Sequence, residues 1–172
     1  HKNLPSLYRM LEDRPNGDVF AQFAPAIAPL VKKEFNEIKA YCRVAEGLAN
    51  GIITIGNGDK KGSVQSFREE KLAYADGSFF TLFSFPLILG NQQSAVSETN
   101  TIALSASRAR KYFGTEKALG QTLTVNNQFG KTLYTVTAVY KDMPENSDLD
   151  FDAILSLQTL ANPANLNGNG WA

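Results

Sequence analysis

The sequence has one histidine and one cysteine in 172 residues. Cys42 alone cannot form an intrachain disulfide. His1 is the first residue, and chain ends are usually frayed, so a Ser-His-Asp or Cys-His centre would have to rest on a poorly held group. Zinc sites built from Cys and His are excluded for the same reason. There is no excess charge of either sign, with 17 Lys plus Arg against 17 Asp plus Glu. That balance speaks against a nucleic-acid binder and against a polybasic membrane-surface domain. No run reaches the roughly 18 to 20 apolar residues of a membrane span. Val19 to Val31 is broken by Gln22, Pro25 and Pro29, and Gly77 to Gly90 by Ser78, Ser84 and Pro86. Neither has the charged start and small-residue cleavage site of a signal peptide. The chain opens on His1-Lys2-Asn3-Leu4 and reads as an interior stretch of a longer protein.

What is present is a core former. The 43% apolar content is too high for a disordered chain, and a chain of this length buries roughly 70% of its unfolded surface without metals or cross-links. Leu4 to Asp13 reads as a strand, followed by the dense turn signal Arg14-Pro15-Asn16-Gly17-Asp18. Phe20, Phe23, Ile27, Leu30, Val31 and Phe35 have helical spacing, with the first regular turn beginning near Pro25. Ile38 to Glu46 looks extended. Ile52 to Ile55 and Ser63 to Phe67 read as strands flanking Gly56-Asn57-Gly58-Asp59-Lys60-Lys61-Gly62, which has the composition of a hairpin loop. In Glu69 to Ala75, alternation predicts a strand with one apolar face. Asp76 or Ser78 is placed to cap a short helix carrying Phe79, Phe80 and Phe83. Ser94 to Glu98 suggests a helical turn, and Thr101 to Leu104 a strand. Ser105 or Ser107 then caps a helix through Arg108, Lys111 and Tyr112, closed by Gly114, which should put Tyr112 or Phe113 into the core. Gln121 to Val125 and Thr132 to Asp142 are predicted strands, the second stopping at Pro144, which has no amide donor. Phe151 to Leu155 is another, with a short helix near Leu157. Asn162 to Gly170 reads as a loop. Hairpins interleaved with helices favour an α+β fold of mixed, largely antiparallel sheets with a few short helices, in two small lobes.

Each chemical candidate has a plainer explanation. The Gly56 to Gly62 loop lacks the GxxxxGK[ST] spacing of a phosphate loop and leads into a strand, so it reads as a turn. Asp142, Glu145, Asp148, Asp150 and Asp152 form an acidic run without EF-hand spacing or an internal Gly, which suits a solvated face better than a calcium site. Glu69-Glu70 and Glu12-Asp13 could supply paired carboxylates, but surface charge is the default. Phe79, Phe80, Phe83 and Phe85 could make a docking patch for peptide or lipid, although core packing explains them more simply. No catalytic, cofactor-binding or metal-ligating residue is nominated.

Several stretches in order carry a resemblance. They run from Tyr74-Ala75-Asp76-Gly77-Ser78-Phe79-Phe80 through Phe83-Ser84-Phe85-Pro86-Leu87-Ile88-Leu89-Gly90-Asn91, then Ile102 to Ser107, Ala109-Arg110-Lys111-Tyr112-Phe113-Gly114, Leu119 to Leu123 and Tyr134 to Ser147. Together they resemble the periplasmic core domain of MacB-like (MacB/FtsX-type) ABC transporter permeases over roughly Lys2 to Ser156. His1-Lys2-Asn3 and Leu7-Tyr8-Arg9 are similar to the segment just after the first transmembrane helix. Ala138 stands where the family often has Gly, and Asp148 where it often has His; no known chemistry is lost by either. The resemblance implies one domain over 1–172, on the periplasmic face of the bacterial inner membrane and anchored by membrane helices outside this sequence. It implies no enzymatic activity here. Implied partners are a cytoplasmic ABC ATPase, a second permease copy and a periplasmic adaptor or a peptide or lipid substrate. A ligand- or peptide-binding module without a transport role is the alternative, and a deep apolar pocket would favour it.

Overall fold

A computed structural model describes residues 3–56, 64–144 and 146–161. The predicted loop at Gly56 to Gly62 lies almost wholly outside them, as do Glu145 and the loop from Asn162. In chain order the strands are β1 (Glu12–Asp13), β2 (Val19–Phe20), β3 (Val44–Glu46), β4 (Gly51–Gly56), β5 (Val64–Glu69), β6 (Leu72–Ala75), β7 (Leu87–Leu89), β8 (Thr101–Ser105), β9 (Thr122–Asn127), β10 (Gly130–Tyr140) and β11 (Ala153–Ser156). The helices are α1 (Ile27–Glu34), α2 (Phe79–Phe83), α3 (Ala106–Phe113) and α4 (Gln158–Ala161). β1 and β2 form a separate hairpin; the rest make one sheet ordered β3-β6-β11-β8-β10-β9-β4-β5, with β7 beside the end of β10. The pairs β10–β8 and β11–β6 are parallel and the others antiparallel. This is the expected α+β architecture.

Chain order forces this sheet to curl. β5 is at one end and β6 next to the other, yet only Glu70 and Lys71 join them. A flat sheet would separate β6 from β5 by about 29 Å, at about 4.8 Å per strand step. Three Cα–Cα steps reach at most about 11 Å. The sheet therefore wraps around α3. The Tyr112 ring of α3 lies 5.3 Å from that of Phe67 in β5 at a tilt of 38°, and Ala106, Ala109 and Tyr112 join Ile53, Ile55, Ile102, Leu104, Leu123 and Val125 in one cluster. Opposite, α2 supplies Phe79 and Phe80 to a second cluster with Ala73, Ala103, Tyr140 and Ile154. In place of two lobes, one continuous sheet carries a packed cluster on each face.

α3 follows its sequence signals closely. The Ser105 hydroxyl accepts the Arg108 amide at the N-cap, and Gly114 closes the helix at φ 71° with its amide on the Arg110 carbonyl. Tyr112 is buried, and Phe113 packs half-buried beside it. The β9–β10 hairpin also forms as read, and the strand run before Pro144 ends at Tyr140.

Other elements depart from expectation for identifiable reasons. Leu4 to Asp13 is a 3-10 turn at Leu4–Ser6 and only a two-residue strand, since the isolated hairpin has no third strand to cover it. The helix expected to become regular near Pro25 begins at Ile27, while Phe20, the first residue of the helical spacing, pairs in β2. Pro29 sits in the first turn of α1, where an amide has no helical partner to lose. Within Ile38 to Glu46 only Val44–Glu46 pairs. β6 is buried at all four positions rather than on one face, because β11 and β3 flank it while both clusters cover it. Ser78 precedes α2 without capping it; its hydroxyl donates to the Tyr41 carbonyl at 2.6 Å, and Asp76 turns to Arg43. In β10, Tyr134, Val136, Ala138 and Tyr140 look like one face. A register shift between Val136 and Ala138 divides them, so Tyr134 and Val136 face α3 while Ala138 and Tyr140 face α2.

Candidate functional site

Two surface features stand out once the fold is known. The first is the seam where the curled sheet closes. Glu69, read from sequence as surface charge, is 4% exposed at the end of β5. That reading is corrected by the curl, which carries β5 under α3. Lys111 donates to the Glu69 carboxylate at 2.6 Å, and Arg108 lies 3.6 Å away. Arg108 also binds Asp152 at 2.6 Å, and Lys71 pairs with Asp150. The Lys111 ammonium lies 4.8 Å from the centre of the Phe67 ring. Hydrogen bonding to Asp152 raises the Arg108 pKa, and burial, then the nearby Glu69, push the Tyr112 phenol well up. Each carboxylate here faces a fixed cation. Such an arrangement clamps the seam. Replacing Glu69 with Ala should cost about 2 kcal/mol, since Lys111 loses its partner but keeps partial access to water. Urea unfolding checks this; a cost near zero would show that the clamp does not hold the seam.

The acidic run is dispersed. Asp142 accepts the Ser107 amide at 2.9 Å at the start of α3 and lies 3.8 Å from Arg110. Asp150 and Asp152 turn to Lys71 and Arg108, while Asp148 is exposed. Among the described residues no three His, Cys, Asp or Glu side chains converge as metal ligands. Glu70 pairs with Arg68, and Glu12 with Arg14, on the surface. Phe79, Phe80 and Phe85 are buried, so the aromatic stripe is core.

The second feature is a bare sheet face. Ile52 and Thr54 of β4, Val64, Ser66 and Arg68 of β5, Thr124 and Asn126 of β9 and Lys131 and Leu133 of β10 share one side by register. Ile52 is 45% exposed, Leu133 59% and Val64 67%. The alternation Thr122-Leu123-Thr124-Val125-Asn126 signals a half-buried strand, but sequence does not show that four such strands lie side by side. Two grooves among the described residues mix polar and apolar lining. One, of about 400 Å³, lies along Asn50, Gly51, Ile52 and Arg68 to Glu70; the other, of about 270 Å³, touches Lys32, Ala40, Tyr41 and Asp76 to Ser78.

The family model for the MacB-like periplasmic core domain matches residues 3–171. The chain belongs to that family. This MacB-like domain is thus a periplasmic domain of the ABC transporter permease family. Its fold is shared with a domain described as that of a permease protein from Porphyromonas gingivalis, with TM-score 0.63 and 22% identity, covering 88% of this chain and 64% of that one. It is also similar to the periplasmic region of MacB from Actinobacillus actinomycetemcomitans, with TM-score 0.55 and 18% identity, covering 83% of this chain and 58% of that one. The chain thus spans less than two thirds of either solved structure. No curated protein matches it. Among the described residues no helix is long and apolar enough to cross a membrane.

Proposed function

We propose that this MacB-like domain, spanning 1–172, is the extracytoplasmic part of a permease that couples ATP hydrolysis by a separate cytoplasmic ABC ATPase to a change of shape, or to substrate export, outside the inner membrane. The observation that carries this reading is the family match over nearly the whole chain. The physical design agrees with it. A sheet whose ends are tied by a two-residue link, and whose strands β6, β11 and β8 are buried on both faces, is a stiff body that moves as a unit, the kind of part that rigid-body or hinge mechanics require. Membrane helices outside this sequence would anchor the domain. A second permease copy and a periplasmic adaptor or a peptide or lipid would meet its surface, for which the bare β5-β4-β9-β10 face is available.

The test uses the full permease with its ATPase in lipid nanodiscs, spin-labelled at exposed Ser66 and at the exposed partner position on a second copy. ATP with vanadate should shift the distance distribution relative to the nucleotide-free state. An unchanged distribution, with ATPase activity intact, would defeat the coupling assignment. The isolated domain with ATP and magnesium should show no turnover; saturable hydrolysis of ATP, or of ester, peptide or glycoside substrates, lost on replacing one Asp, Glu or Lys, would make it an enzyme.

A further inference from the structure

Residues 3 to 48, as far as they are described, include none that is fully buried; the first buried position is Ala49. α1 buries no residue, and Tyr8, Leu11, Val19, Leu30 and Phe35 are all more than half exposed. Packing against the two cores begins at Cys42 and Val44, so for residues 3 to 41, the N-terminal arm, specific polar ties do most of the holding. Those ties converge on α2.

Arg43 stands immediately before β3, where the chain passes from arm to sheet. Its amide donates to Asp76 Oδ2 at 2.7 Å, its Nε to the same oxygen at 3.0 Å and its Nη2 to Oδ1 at 2.8 Å. The Asp76 amide returns a bond to the Arg43 carbonyl at 3.1 Å. The remaining guanidinium nitrogen, Nη1, reaches back to the Pro25 carbonyl at 2.9 Å, just before α1. The planar guanidinium thus grips the arm with one nitrogen and the body with two, a division that a lysine ammonium cannot reproduce with the same fixed geometry. Asp76 is 9% exposed, and its carbonyl accepts the Phe79 amide at the start of α2. Ser78 ties the same end to Tyr41. At the other end of α2, the Asn3 side-chain amide donates to the Thr81 and Leu82 carbonyls at 3.0 and 2.9 Å. Behind α2, Phe79 meets Phe80, Phe83, Phe85 and Phe151.

We infer that Arg43 and Asp76 form a hinge pin between the arm and the body, and that α2, held at both ends by the arm and seated on the Phe79 cluster, receives the arm's movement. The inference deepens the permease reading, on which it rests for the source of that movement: the arm begins with Asn3 and Leu7-Tyr8-Arg9, which resemble the segment just after a membrane helix. Motion of the arm enters the sheet through α2 instead of being lost in a loose tether.

Hydrogen exchange on the 172-residue chain tests the pin without membrane or ATPase, so this test and the nanodisc test fail independently. Arg43→Ala and Asp76→Asn should each speed exchange in residues 5 to 41 about tenfold, the scale of one charge-assisted hydrogen bond, while amides of β8, β10 and β11 keep their protection. Arg43→Lys should behave like Arg43→Ala in the arm, because one ammonium does not span Pro25 and both Asp76 oxygens. If Asp76→Asn fails to fold, the Arg43 variants decide. Unchanged arm exchange overturns the inference. So does equal loss of protection in arm and body, which would make the pair a general stabiliser, or full protection by Arg43→Lys, which would make charge alone sufficient.

Discussion

Above about pH 9 the domain should lose stability steeply, and its buried phenols should ionise only as it unfolds. Burial, then the neighbouring Asp76, push the Cys42 thiol from 9.0 up to about 12. Burial likewise raises the phenols of Tyr74, Tyr112, Tyr134 and Tyr140 above their ordinary value of 10.0. Below pH 9 folded and unfolded chains both hold these protons, so the groups leave stability level. Between pH 9 and 12 the unfolded chain releases them first, and stability falls as pH rises. Each proton retained only by the folded state contributes about 1.4 kcal/mol per pH unit. Tyr112, Tyr134 and Tyr140 carry the largest rises, and these three alone bring the slope to about 4 kcal/mol per pH unit once the unfolded phenols have ionised. The urea midpoint should therefore stay flat from pH 7 to 9 and collapse above 10, with phenolate absorbance appearing together with the loss of far-ultraviolet dichroism. Phenolate signal from most of the tyrosines in a chain still showing native dichroism would contradict this account.

Phe79→Ala should cost about 3 to 5 kcal/mol, the range for removing a fully buried aromatic. The ring is completely buried and has four aromatic neighbours, with centroids at 5.2 Å for Phe80, 5.0 Å for Phe83, 5.7 Å for Phe85 and 6.5 Å for Phe151. These side chains come from α2, the turn after it and the approach to β11, so collapse around the cavity would have to move three segments at once. Phe113→Ala should cost less, because Phe113 is only half-buried at the end of α3. Chemical unfolding of both variants gives the comparison; an equal cost would mean that the cluster around Phe79 closes over the missing ring. Since α2 also receives the arm, the same variant links the stability of the body to the pin at Arg43 and Asp76.

Local signals in the chain were enough for α3, where Ser105 caps, Gly114 closes and Tyr112 lies on the apolar side. They were also enough for the β9–β10 hairpin and for strands on either side of the Gly56 to Gly62 turn signal, because turn residues and period-two alternation act within a few residues. The ordered family stretches from Tyr74 to Ser147 carried the membership that the match over 3–171 established. Near the N-terminus the same signals overreached: helical spacing from Phe20 continued across a stretch with no body to pack against, and tertiary contact, not periodicity, decides whether such a pattern becomes a helix. Only the tertiary structure buried Glu69, because its environment is set by the two-residue link that closes the sheet and brings β5 under α3. Only it divided β10 between two cores, since one irregular pairing at Val136 and Ala138 reverses the facing of every later side chain. And only it joined Arg43 to Asp76 and Pro25, residues 33 and 18 positions away, because charge pairing over such separations depends on how strands and arm are brought together in space.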